Sequence, residues 1–333
     1  MNPADLQIQL FHQIKSRMGA GLSMVDEVAQ LLQISTDSAY RRIRGEKPLT
    51  FDEIYRLCLH YHCSLDALMG LQSNTYTFEG RFVQSSNFRF DEYLTGLMQQ
   101  VKYMNGFKEK KMYYLAKDIP IFHHFHYRPI AAFKYFFWMR TLLNAPGMDH
   151  RQFSLQDYPD DLFAIGRKAL DYYNGLDATE LWNIETIMST LRQVEYYQDA
   201  RIFKHAEDIH TVYDYLEQLL LHLEKQADLG YKFDVEDENK KPLGAFQMYF
   251  NEVTTADNSI LAVLDGTKVV FLTHSIINFM VTRHLQFCDN LFQSIQNLIR
   301  RSTLISSVSE RERARFFKKL RNRITSRKQN LKA

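Results

Sequence analysis

The stretch from Ser23 to Gly70, SMVDEVAQLLQISTDSAYRRIRGEKPLTFDEIYRLCLHYHCSLDALMG, decides the N-terminal fold. It reads as four short helices with marked starts. Ser23 precedes an apolar run at helical spacing (Val25, Val28, Ala29, Leu32), and Ser35 follows a short break. Thr50 has Glu53 three places on, and Ser64 opens a last turn. A Ser or Thr oxygen at such a place accepts from amides that lack a partner inside the helix, and a Glu three residues later returns a bond to the cap. The second helix, Ser35 to Arg44, carries Arg41, Arg42 and Arg44 and stops at Gly45. Two helices joined by a tight turn, the second one basic, form the pattern of a helix-turn-helix whose second member enters a major groove.

Upstream, residues 5–17 space Leu6, Leu10, Phe11 and Ile14 on one helical face, which predicts a first helix packed over the motif. Downstream, Phe51 to His62 and the turn Ser64 to Gly70 close a five-helix bundle. Cys58, His60, His62 and Cys63 lie close in sequence, but C-x-H-x-H-C on one amphipathic helix aims its side chains in different directions. Structural zinc prefers ligand pairs across a turn, so no metal is expected.

The segment resembles the Cro/CI-like (Xre-type) DNA-binding domain. The matching residues are Val28-Ala29, Ile34-Ser35, Ala39, Tyr40 to Glu46, Pro48-Leu49, Asp52-Glu53, Leu57 and Ser64 to Leu68. One position departs: Met24 stands where many such domains carry a Gln that braces the second helix. The resemblance implies double-stranded DNA as partner and a DNA-contacting set of Thr36, Asp37, Tyr40, Arg41, Arg42, Arg44 and Lys47. Two phasings of the helix remain open. Ala39 and Ile43, one turn apart, point inward in one; the family pattern places the inward position at Arg42 in the other. Thr36, Asp37 and Arg41 face outward in both. Arg41 suits guanine O6 and N7, and Asp37 suits cytosine N4 or a helix cap. Arg44 and Lys47 suit phosphate.

A chain of 333 residues is too long for this module alone. Its 45% hydrophobic and 14% aromatic content provide for a large core. Cys58, Cys63 and Cys288 form no even framework, which fits free thiols in a reducing compartment. With no apolar leader and no run of roughly 18 apolar residues, a cytoplasmic protein off the membrane is expected. The net charge of +2 is unevenly spread: residues 1–70 carry 7 basic and 8 acidic groups (−1), 71–299 carry 22 and 29 (−7), and 300–333 carry 12 and 2 (+10). DNA affinity in the N-terminal part must then come from a local cluster.

The remainder predicts a mainly α protein. Residues 71–89 are polar and irregular and read as a linker to a helical regulatory or dimerisation domain over 90–308. Phe90, Leu94, Leu97, Val101 and Met104 form an apolar helix face, suited equally to a dimer partner and to a core. Pro120 and Pro129 break the aromatic stretch 111–143, whose last part, Ala131 to Leu143, reads as a buried helix. His123, His124 and His126 are expected partly exposed ahead of it. Helices are expected at about 158–173, 178–198 and 203–228. An α+β portion at about 231–300 should hold a small antiparallel three-stranded meander near residues 245–273, with Asp265-Gly266 as a hairpin turn and a covering helix from Ile276 or Val281 to Leu298. Residues 309–333 read as a basic helix opened by a Ser309–Glu312 capping box, with Phe317, Leu320 and Ile324 on one face.

No phosphate loop, GxGxxG after a strand, GxSxG or HExxH is present, so neither an enzyme activity nor a cofactor is expected. These observations point to a DNA-binding transcriptional regulator acting as a homodimer with an unidentified effector. Two other classes fit the residues: an interaction adaptor that uses the helix-turn-helix frame without DNA, and an enzyme of unfamiliar type fused to a DNA-binding head.

Overall fold

The computed structural model describes residues 3–18, 23–61, 63, 65–69, 76–80, 88–253, 258–275 and 278–331. The chain divides into two compact units, Met1–Thr77 and Phe78–Ala333.

The first unit contains α1 (Pro3–Arg17), α2 (Met24–Leu32), α3 (Thr36–Ile43), α4 (Phe51–Tyr61) and α5 (Leu65–Met69). Its starts are capped as the spacing predicts. Ser23 Oγ accepts from the Asp26 amide and Ser35 Oγ from the Ser38 amide at 3.2 Å. Thr50 and Glu53 form the reciprocal pair, the Thr50 amide donating to Glu53 at 2.9 Å and the Glu53 amide to Thr50 at 3.3 Å. Ser64 lies outside the described residues. Leu10, Phe11 and Ile14 of α1 close over Val28, Ala29 and Leu32 of α2, with Ala39 and Leu57 from α3 and α4.

The second unit overturns the mainly α expectation. It is built on a seven-stranded mixed sheet: β1 (Lys110–Leu115), β2 (Asp177–Trp182), β3 (Phe246–Phe250), β4 (Ser259–Leu264), β5 (Thr267–Ser275), β6 (Asn278–Thr282) and β7 (Thr303–Leu304). The order is β6-β5-β4-β1-β2-β3-β7, with β1–β2 and β2–β3 parallel and the other pairs antiparallel. The predicted three-stranded meander near 245–273 is therefore not a unit. Its β4–β5 hairpin is real, turning on Asp265 and Gly266 at φ 45° and 82°. Its first strand, β3, instead pairs in parallel with β2, and β1 and β2 stand between β3 and β4. Residues 178–182, predicted to open a helix, are the core of β2. Five consecutive buried residues give no period-2 signal, so a central parallel strand reads like a buried helix turn. The covering helix begins later than predicted, since β6 occupies 278–282.

Among the described residues, six helices join one face of this sheet in a single apolar core: α6 (Phe90–Asn105), α7 (Arg128–Phe137), α8 (Asp160–Asn174), α9 (Glu185–Asp199), α10 (Ala206–Leu229) and α12 (Glu310–Asn330). The sheet contributes Met112, Tyr114, Ala178, Trp182, Phe246 and Met248 from β1 to β3, and Ile260, Ala262, Leu264, Val269 and Phe271 from β4 and β5. The opposite face, through Tyr113, Leu115, Leu181, Leu261 and Val270, packs on Cys288 and Ile295 of α11 (Leu285–Arg300). α6 is thus a core helix, its Phe90, Leu94, Val101 and Met104 all buried. The helix predicted over 131–143 begins earlier, as α7, and passes into a π-helical turn at Trp138–Leu142. α12 lays Phe316, Phe317, Leu320 and Ile324 into the core, though Ser309 adopts a left-handed φ of 59° and makes no capping bond.

Candidate nucleic-acid interface

The joint between α2 and α3 is set by Gln33, whose φ of 57° turns the chain while its amide donates back to α2 carbonyls. Ser35 then caps α3, which leaves Asp37 free of that duty. The outward side of α3 carries Thr36, Asp37, Tyr40 and Arg41, all exposed, with Arg44 and Lys47 exposed just beyond. The Arg41 carbonyl accepts from the Glu46 and Lys47 amides, which folds the following turn against the helix end. Among the described residues no carboxylate or ring engages the Arg41 guanidinium. Arg44 lies over the Tyr40 ring at 5.5 Å and pairs with Glu46 at 3.2 Å.

Arg42 is the correction to the predicted contact set. It is 5% exposed and faces the core side with Ala39, so the second of the two phasings is the one adopted. Its Nε and Nη2 donate to both oxygens of Glu53 at 3.1 and 2.7 Å, and Nη1 donates to the Ser38 carbonyl and hydroxyl. A bidentate guanidinium–carboxylate pair fixes the roll of one helix on another. Burial alone would raise the Glu53 pKa. The Arg42 hydrogen bonds and charge, with the Thr50 amide, outweigh that and hold it below the ordinary value. Glu53 therefore caps α4 and anchors α3 with the same carboxylate.

Gln7 of α1 braces the C-terminal end of α3 and the turn that follows it, and the sequence reading missed it. Its Nε2 donates to the Arg42 and Lys47 carbonyls at 2.6 and 2.8 Å, while Oε1 accepts from the Leu49 amide at 2.9 Å. Between these points Gly45 takes φ +73°, where L side chains are strained. A lone Gln on a polar helix face carries no pattern that would have revealed this role. The result is a short helix held at both ends with one free arginine facing outward.

Residues 13–80 match the BetR domain family. That family is of the helix-turn-helix DNA-binding type, so the N-terminal part of the chain is a DNA-binding domain. The BetR domain match leaves residues 81–333 unassigned. No curated protein and no solved structure gives a significant match.

The second unit buries an unusual set of polar groups. Glu180, on β2 and fully buried, accepts from His123 Nε2 at 2.8 Å, Trp182 Nε1 at 2.7 Å and the Tyr173 hydroxyl. Burial opposes its ionisation, but the His123 charge and these donors together lower its pKa. His123, His124 and His126, predicted partly exposed, are 0–3% exposed because the short 3-10 turn carrying them runs beneath the helical layer. His126 stacks on His123 at 5.6 Å and lies 4.5 Å from His222, with neither of its ring nitrogens hydrogen-bonded. Burial, followed by the charges of His222, His123 and Arg167, pushes the His126 pKa well below its usual value. His222 is lowered to about 4, again mainly by burial, and accepts at Nε2 from Gln226 at 2.9 Å. Lys232, also buried, lies 4.1 Å over the Tyr173 ring and donates to the Leu176 carbonyl; burial lowers it to about 7. Among the described residues no group of His, Cys, Asp or Glu is arranged to hold a metal, and no helix is long and apolar enough to cross a membrane.

Proposed function

We propose that the chain is a sequence-specific transcriptional regulator that lays α3 in the major groove of duplex DNA. In this reading Arg41 donates two hydrogen bonds to a guanine edge, and Asp37 accepts from a neighbouring cytosine. Thr36 and Tyr40 flank them, and Arg44 and Lys47 hold phosphates. The observation that carries the reading is the uncommitted Arg41 guanidinium on a helix whose roll is fixed by Glu53 and whose C-terminal end is held by Gln7. One short helix reads few base pairs, so a homodimer on paired half-sites is the assembly proposed. The second unit would then supply the effector-responsive or oligomerising part, in the cytoplasm, with no catalytic step or cofactor assigned to it.

The adaptor reading has one observation in its favour. Phe51, Tyr55 and Leu59 repeat along α4 and are 79%, 62% and 61% exposed, an apolar stripe suited to a protein contact. Gel-shift titration of the full chain against mixed-sequence duplexes separates the two. The regulator retains a subset of sequences and loses that selectivity in Arg41→Ala; the adaptor shows no selectivity for Arg41→Ala to remove.

A further inference from the structure

The positive charge of the C-terminal region is divided by α12 into two parts with different fates. Along the borders of its buried stripe the cations are already paired. Arg313 meets Asp228 at 2.6 Å, Lys319 meets Glu252 at 2.7 Å and Arg327 meets Glu195 at 2.8 Å. Arg321 pairs with Glu224, and Lys328 with Asp214 and Glu217. Most of these carboxylates lie on α9 and α10, so this half of the charge fastens α12 to its own unit.

The other half is left over. Arg311, Arg315 and Lys318 recur at i, i+4 and i+7 and point directly away from the stripe of Phe316, Phe317, Leu320 and Ile324. Arg315 is 64% exposed and has only a distant partner, Glu312 at 3.8 Å. Arg301, at the end of α11, lines one cavity of about 240 Å³ with Thr303, Arg315 and Lys319, and with Glu252 and Glu312. Arg301, Arg311 and Lys318 form no ion pair among the described residues. The DNA-binding unit, by contrast, has no surplus of its own, since residues 1–70 sum to −1.

Resting on the DNA-binding reading above, we propose that Arg301, Arg311, Arg315 and Lys318 form a second DNA-contact surface. It binds the phosphate backbone without regard to sequence. Arg311 to Lys318 spans about 10 Å of helix, a length over which duplex DNA presents roughly six phosphates. Sequence preference then resides in α3, and most of the salt-dependent affinity resides in this stripe.

The test is fluorescence anisotropy of the full chain on a random-sequence duplex over a range of salt. The variant combines R301Q, R311Q, R315Q and K318Q, all exposed and outside the core. Far-UV circular dichroism and tryptophan fluorescence matching wild type establish that it folds. Loss of four phosphate contacts lowers the slope of log K against log salt by about 3 to 4, while sequence preference at low salt persists. An unchanged slope overturns the proposal. So does an unchanged DNA slope accompanied by lost binding to phosphatidylglycerol vesicles, which makes the stripe a membrane surface. Arg41→Ala is the control for the reading beneath it: it removes sequence preference and changes the slope by about 1 at most. A stripe variant with a reduced slope beside an Arg41→Ala protein of unaltered preference upholds the stripe and rejects α3 as the reader. Absence of any DNA binding by the wild type rejects both.

Discussion

Replacing Arg42 with Ala should weaken DNA binding by destabilising the reader, because Arg42 is buried against Glu53. The substitution removes two hydrogen bonds to Glu53 and two to Ser38, and leaves the Glu53 carboxylate, only 13% exposed, facing the vacated site. Removing one member of such a buried pair costs about 3–5 kcal/mol. A domain of this length has about 4–11 kcal/mol in all, so the variant loses from about a quarter of its stability to all of it. Hydrogen exchange on the full chain reads this locally: amides of α2, α3 and α4 should lose most of their protection, while those of the central sheet keep theirs. The pair also sets a pH limit. Because the Glu53 pKa is lowered in the fold, its contribution is complete above the ordinary Glu value of 4.5 and is lost as pH falls through the folded value. Wild-type protection in Arg42→Ala, together with an altered base preference, refutes the reasoning, because it would place Arg42 on the outward face.

Gln7→Ala removes the three bonds that hold the turn after α3, so exchange at residues 44–50 should quicken by the equivalent of about 1–3 kcal/mol. DNA affinity should fall with it; unchanged exchange there argues against the brace. In the second unit, His124, His126 and His222 have lowered pKa values and are neutral in the fold. The unfolded chain takes up protons first, so stability is unaffected by them above about pH 6.5 and falls below it, by up to about 1.4 kcal/mol per pH unit for each. Both tryptophans, Trp138 and Trp182, lie in this unit, so fluorescence-monitored urea unfolding reports on it alone. A flat midpoint between pH 7 and 5 contradicts the assignment of neutral histidines.

The N-terminal bundle was legible because its information is local. Ser23, Ser35, Thr50 and Glu53 act within one turn of where they stand, and the apolar spacing needs no partner to be read. Arg42 was ambiguous because an arginine is placed inside only by a carboxylate eleven residues away. The sheet was hidden for the opposite reason. β1 and β2 gain their stability from long-range pairing, Met112 with Ala178 and Met112 with Ala262, and both their faces are covered. Such strands lose the alternation that betrays a half-exposed one. The Asp265-Gly266 turn survived as a signal because positive φ is a property of two adjacent residues. The histidines 123–126 were misjudged because their burial depends on Glu180 and on a helical layer supplied far along the chain.

Whether the outward side of α3 reads bases is measured directly by a base-resolved enrichment profile. Wild-type protein and Arg41→Gln are each put through rounds of selection from a random duplex pool, and the retained sequences are compared position by position. A defined motif is expected for the wild type, with a guanine whose enrichment disappears in Arg41→Gln while the other positions stay. No motif from the wild type, or the same guanine enriched to the same degree by both proteins, contradicts it.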